Sequence, residues 1–553
     1  MKRLAAPLLL TGLSLGLVAA APPAEPPPDS SVFGEQVDVR VVNLEAVVTD
    51  RDGHRVPDLK PGDFRLRVDG REVPIEYFNE VRDGRALAAP AASTQAETPG
   101  AKTGEPVQGL AEGTVGTYYL VFIDDYFSIA QQRDVVLQSL KADLGRLRPE
   151  DRMAIVAYDG GRLALLASWS ASRDELARAF DRAAARTPHG FERRTEARSF
   201  ATDEGFARQT VGDAAPLDLS SRMQGLNARQ AAFGDTLVRQ VQGDVQAAVS
   251  AMRGFAAPHG RKVMLLLSGG WPFSIQSYLT GGSGMPTREV PEGDKIYTPL
   301  TRTANLLGYT IYPVDVPGIQ TAAADVEATG PGGFSSTGEQ EIEGSLRFIA
   351  QETGGQPILN SNRTLALAKA DADVRSFYWL GFSPSWQRND KPHAIRLEAR
   401  RPGLRVRSRT GFLDLSRKAE VSMEVESALL FGTPPGGELM PMKVGKLTRS
   451  RRGQTEIPIS LGLPVDVMTV VPVNGRYAAQ LELRFAASDA VGNGSEIPVL
   501  PVTLTSDKPP TPGKMVRYDT RITLRGGANH LVVAAYDPLS GKIATAEADV
   551  RTP

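Results

Sequence analysis

Between residues 116 and 388, short apolar runs alternate with stretches of helical period, and this alternation limits what the chain can fold into more than any other feature. The runs are TYYLVFI, MAIVAY, LALLASW, KVMLLLS, TIYPVDV and GQPILN. Between them lie amphipathic stretches such as AQQRDVVLQSLKADLGRL and SRDELARAFDRAAAR. Strands of this kind, each followed by a helix, predict a parallel sheet with helices packed on both faces.

The flanks read differently. Residues 36–83 alternate with period two around Asp52-Gly53 and Asp69-Gly70, which predicts a small antiparallel β module. Residues 84–115 are Ala, Gly, Pro and Thr without period, a linker unable to bury a core. Residues 389–416 predict a hairpin about Arg401-Pro402-Gly403 that packs with 36–83, so that the α/β domain is an insertion in a β domain. Its Arg405, Arg407 and Arg409 stripe is read as guarding a sheet edge. Residues 417–553 hold short strands between Pro, Gly and Asn turns, a β-sandwich pattern.

Residues 1–20, MKRLAAPLLLTGLSLGLVAA, place Lys2 and Arg3 before a short apolar run and small residues, as an export signal does, with cleavage after Ala20. A Pro-rich linker over 21–35 follows instead of a stop-transfer flank, so the mature chain is expected to be periplasmic or secreted, with no membrane span. The 63 basic and 64 acidic residues leave a net charge of -1, which gives no field to gather nucleic acid. There is no Cys, so stability comes from packing without disulfides.

The strand YYLVFI ends on Asp124 and Asp125, with Ser128 four residues after the first acid. This start, with LRPEDRMAIVAYDGG, LGYTIYPVDVPG, LRFIAQETGGQPI, VRSFYWLGFSPS and RRPGLRVRSRTGF, resembles the exported bacterial proteins related to the von Willebrand factor type A (VWA) domain, best known from Acidobacteria. LEAVVTDRDGHRVPDLKPGDFRLRVDG resembles them too, and the likeness spans about residues 36–412. It implies a Rossmann-like sheet, hence a multidomain chain with an α/β VWA domain at 116–388 and all-β flanks. It also implies binding of other proteins through a metal-ion-dependent adhesion site.

Carried over from that family, Asp124 matches the first acid of Asp-x-Ser-x-Ser and Ser128 its last Ser, Thr187 is the candidate for the later Thr, and Asp125 is a possible further charge. Tyr126 stands at the middle Ser position, and Ser268-Gly269-Gly270 stands where an acid is usual, so the adhesion site is degenerate. No cofactor is expected beyond weak Mg²⁺ or Ca²⁺. The alternative role for Asp124 and Ser128 is to cap the helix at 129–147.

Recognition is then expected from the loops 188–222, 270–297 and 318–342, with Tyr126, Ser268, Trp271 and Phe273 facing a partner. The alternative for Trp271 and Phe273 is that they pack down as loop anchors. The sequence is read as an exported adhesion or binding protein for a protein or surface polymer, and not an enzyme. A structural component of a cell-envelope assembly is the alternative. Ser268 with His189 is a poor nucleophile pair, since LLLSGGW lacks the G-x-S-x-G elbow.

Overall fold

Two Asp-Gly turns start the fold. Asp69 and Gly70 have φ of 49° and 80°, and join β2 (Phe64–Val68) to β3 (Arg71–Val73) by a two-residue hairpin. Asp83 and Gly84, at 49° and 75°, do the same for β4 (Tyr77–Arg82) and β5 (Arg85–Ala86). Positive φ at both central residues matches the right-handed twist of the strands, and Asp-Gly tolerates it. The computed structural model describes residues 41–87, 113–193, 195–196, 216–256, 261–280, 292–317, 336–384, 387–416 and most of 419–552. The signal peptide, the Pro-rich linker, most of the 84–115 linker and the middles of the three long loops lie outside the described residues. Val41–Pro553 is one compact unit.

β1 (Val42–Thr49) pairs with neither of its near neighbours in sequence. β12 (Phe377–Phe382) inserts between β1 and β4, setting Leu44 opposite Leu380 and Leu380 opposite Phe78. β13 (Pro392–Ala399) pairs with β2, Leu397 opposite Leu66. These side chains share one core with Phe64 and Tyr378, whose rings meet edge to face at 5.5 Å. At about 1.5–3 kcal/mol for each large apolar side chain buried, that core depends on strands contributed from both sides of the intervening chain.

The middle of the chain builds a five-stranded sheet. β7 (Thr117–Asp124), β8 (Arg152–Tyr158), β10 (Arg261–Ser268) and β11 (Tyr309–Asp315) are parallel in the order β11-β10-β7-β8, and β9 (Leu163–Ser170) closes the edge antiparallel to β8. Tyr119, Val121 and Ile123 of β7 pack with Val136, Leu137 and Leu140 of α1 (Ala130–Ala142) and with Phe180 of α2 (Arg173–Ala184). Leu120 and Phe122 pack with Val241, Val245 and Ala248 of α3 (Pro216–Gly254). Beyond it, two sheets within 438–552 share a cluster that includes Ile457, Leu461, Leu483 and Leu531.

The expected α/β class with a parallel-sheet core is therefore corrected. Among the described residues strand, at 41%, exceeds helix, at 32%, and several of the sheets are antiparallel. Long parallel pairing is confined to four strands of one mixed sheet. Two of the apolar runs misled the reading. LALLASW folds straight back on its predecessor as β9 instead of crossing over, and GQPILN makes only a bridge, Ile358 to Val314, before a short 3₁₀ turn. An apolar run shows that a strand is buried, and its direction is set by the connection that follows.

The arginine stripe is corrected as well. Arg407 Nη2 donates to both oxygens of Asp373 at 2.7 Å, and Arg409 Nη1 donates to the Asn305 carbonyl at 2.6 Å. Only Arg405 of the three is exposed. Two further buried pairs join segments distant in sequence: Arg261 meets Glu45 and lies 4.0 Å over the Phe377 ring, and Arg375 holds Asp151 at 2.7 Å. Among the described residues no helix is long and apolar enough to cross a membrane, a statement that does not bear on β-barrels.

Candidate functional site

β7 carries Asp124 to the carboxyl edge of the parallel strands, where ligands of such sheets usually bind. The carboxylate is wholly buried. Its Oδ1 accepts the Phe127 N–H at 2.8 Å, and its Oδ2 accepts the Gly269 N–H at 2.9 Å and the Trp271 indole N–H at 3.1 Å. Asp124 thus ties the loop after β7 to the loop after β10. Burial pushes its carboxyl up to about 6, and the charge of Asp125 acts in the same direction. Helix capping is not its role: α1 starts after Ile129 with no side-chain cap.

Gly269 stands where the sequence reading missed an acid, and the structure gives the reason. A Cβ there would lie 2.2 Å from the Phe127 carbonyl carbon and 2.3 Å from the Ser128 nitrogen. On the other side, a Cβ at Gly190 would lie 2.3 Å from the Phe127 oxygen and 2.4 Å from that of Ser128. The 125–128 loop is clasped between two glycines, so no side chain fits at Gly269 and its N–H serves Asp124 instead.

Asp125 is also buried, but it faces away from this clasp. Its oxygens each lie 2.6 Å from a guanidinium nitrogen, one of Arg133 and one of Arg186, and Arg133 also donates to the carbonyls of Ala184 and Arg186. It is an ion-pair centre. Ser128 is buried with its Oγ unpartnered among the described residues, and Thr187 is exposed after Arg186. Of the four expected ligands, the structure brings Asp124 and Ser128 to one loop and commits Asp125 elsewhere.

Of the four residues expected to face a partner, Trp271 and Ser268 are corrected by their burial. Trp271 is fully buried, stacked on Tyr297 at 6.1 Å, and Phe273 lies half-buried against Phe348 at 5.5 Å. Both are loop anchors. Ser268 is buried with its Oγ near the Gly270 N–H, while His189 lies 3.4 Å from Glu192. Tyr126 is half-buried, its hydroxyl accepting from Arg193 at 3.1 Å with that guanidinium 5.0 Å over the ring.

Two residues escaped the sequence reading. Asp244 on α3 is fully buried behind Asp124, with neither oxygen hydrogen-bonded among the described residues. Burial, then the charge of Asp124, holds its carboxyl well above the usual range. The signal was present: Asp244 lies on the apolar stripe Val241, Val245 and Ala248, where an acid has no solvent. Phe191 is the second, 68% exposed and one residue from the Gly190 that packs on the 125–128 loop. Asp50, Asp52 and His54 also come together, but on a surface turn where Asp50 Oδ1 accepts the N–H groups of Asp52 and His54 at 2.9 Å, which accounts for that group without a cation.

No family model matches the chain, and no curated protein matches it. Among solved structures, a structural-genomics target named SoR45 is 15% identical over 21% of this chain and 89% of its own, with a TM-score of 0.14. The N-terminal domain of TFIIH p34 is 13% identical over 46% of this chain and 97% of its own, with a TM-score of 0.19. The pilus adhesin SpaC of Lactobacillus rhamnosus GG is 7% identical over 78% of this chain and 56% of its own, with a TM-score of 0.21.

Proposed function

We propose that this chain is an exported binding protein that recognises another protein or a surface polymer through the loops at the carboxyl edge of its five-stranded sheet. The observation that carries the reading is Phe191, a large aromatic side chain left 68% exposed on a segment fastened to that edge. Its neighbour Gly190 donates to the Ser128 carbonyl at 3.0 Å, so the ring is presented from a fixed base. Aromatic anchors on rigid supports dominate interface energy. The buried acid Asp124 serves as the clamp that shapes the edge, and the reading does not need a cation. The resemblance of the sequence to exported VWA-related proteins, and the leader-like residues 1–20, support binding outside the cytoplasm.

The test is a pull-down from cell-envelope extract with the full mature chain, followed by measurement of the captured partner's affinity. Phe191→Ala should weaken capture while leaving the melting temperature unchanged. Unweakened capture by Phe191→Ala would remove the edge from consideration and favour an assembly role for other surfaces.

A further inference from the structure

Far from Phe191 in the chain, a groove of about 510 Å³ opens where the first two sheets meet. Beneath it the Phe382 and Phe412 rings pack edge to face at 5.7 Å, both buried, and the more open Val73, Pro74 and Pro384 supply its apolar lining. Asp69, Glu76 and Asp414 line its walls, with the Arg71 guanidinium and the His393 imidazole opposite them; His393 lies 2.7 Å from Asp69 and stacks on the Phe412 ring at 4.9 Å, which leaves Glu76 and Asp414 as the acids open to a further cation. Asp414 is 2% exposed. Its Oδ2 accepts the N–H groups of Gln387 at 2.7 Å and Arg388 at 2.9 Å, whereas its Oδ1 has no partner among the described residues. A buried carboxylate oxygen without a donor is costly, and a cation brought into the groove would satisfy it.

We propose that this groove takes a lysine or arginine side chain from an extended peptide. The aliphatic stem of such a side chain lies along Val73, Pro74 and Pro384, and its charged head meets Glu76 and Asp414. The backbone supplies the second half of the match. β3 ends the four-stranded sheet in the order β15-β13-β2-β3, β15 being Gly411–Leu413, so its outer edge has no strand beside it among the described residues. Arg71 and Val73 of that edge strand both line the groove. An extended peptide can add to such an edge while alternate side chains enter the adjoining pocket. The site is separate from the edge loops and stands whether or not they bind a partner.

Fluorescence anisotropy on the full mature chain tests this with a labelled Val-Lys-Val-Lys-Val peptide and its Val-Glu-Val-Glu-Val counterpart. The lysine peptide should saturate one site, and the glutamate peptide should not bind. Asp414→Asn should weaken the lysine peptide about tenfold, as loss of a desolvated charge partner does. Glu76 is exposed and its carboxylate accepts the Ser383 hydroxyl at 2.6 Å, so Glu76→Lys should fold normally and weaken binding by a similar factor even if Asp414→Asn proves unstable. Equal binding of the two peptides, no saturation at millimolar concentration, or unchanged affinity in Glu76→Lys would each overturn the proposal.

Discussion

The indole nitrogen of Trp271 donates to Oδ2 of Asp124 over 3.1 Å, and neither side chain reaches solvent. One acid at the end of β7 thereby fixes the loop that leaves β10, a strand that pairs directly with β7. The geometry that elsewhere would suit a cation is spent here on two backbone N–H groups and an indole.

Removing that acceptor should cost stability first. Asp124→Ala leaves the Phe127 and Gly269 N–H groups and the Trp271 indole unpaired in a buried place, at about 1–3 kcal/mol each when unrelieved. Urea denaturation should show a loss of roughly 3 kcal/mol or more. Millimolar Mg²⁺ should move the melting point of the parent chain by less than a degree or so, since a ligand at 100 times its dissociation constant adds about 2.7 kcal/mol. A shift of several degrees that vanishes in Asp124→Ala would restore the metal reading.

Asp244 should make stability depend on pH. Its folded carboxyl titrates well above the usual range, and that of Asp124 at about 6, both through burial. A folded value above the unfolded one means stabilisation that is complete below the unfolded value, near 4, and lost as pH rises through the folded value. From pH 4 to 7 the two acids therefore oppose folding increasingly. Asp244→Asn, neutral at every pH, should be more stable than the parent at pH 7.5, with the advantage shrinking toward pH 4. A pH-independent difference between the two would argue that Asp244 is already neutral throughout.

Trp271 and Phe191 should separate fold from recognition. Trp271→Ala opens a cavity under the edge and should cost about 3–5 kcal/mol. Phe191→Ala, at an exposed site, should change stability by no more than about 0.5 kcal/mol. Comparing melting with affinity for the captured partner tells the two apart.

The Arg375 and Asp151 pair should behave as a unit. Asp151 also accepts the N–H groups of Thr117 and Arg148 at 2.9 Å, so it is held in its buried place if Arg375 is lost. Arg375→Met should cost about 3–5 kcal/mol, and pairing it with Asp151→Asn should recover part of that loss. A double-mutant cycle in chemical denaturation reads the coupling directly.

Residues 41–87 alone should fail to fold. Their central partner is β12, which supplies Leu380 between Leu44 and Phe78, and β13 supplies Leu397 opposite Leu66. A segment of this size without those strands has too little core. A cooperative thermal transition from the isolated segment would contradict this account.

The local elements were legible. Period-two alternation marked β1 and β2, continuous apolar runs marked β7 and β10, and Asp69-Gly70 marked a turn that proves to have both φ values positive. Such features depend on residues within a few positions of one another, where steric preference and solvent avoidance act directly. The direction of β9, the insertion of β12 between β1 and β4, the pairing of Asp125 with Arg133 and Arg186, and the burial of Trp271 and Asp244 were settled only by the tertiary structure. Periodicity shows that a face must be covered and an acid must find a partner. Which distant strand, arginine or backbone N–H meets it is decided when all the buried surfaces are packed together, because the energy of each contact depends on which other groups have been removed from water with it.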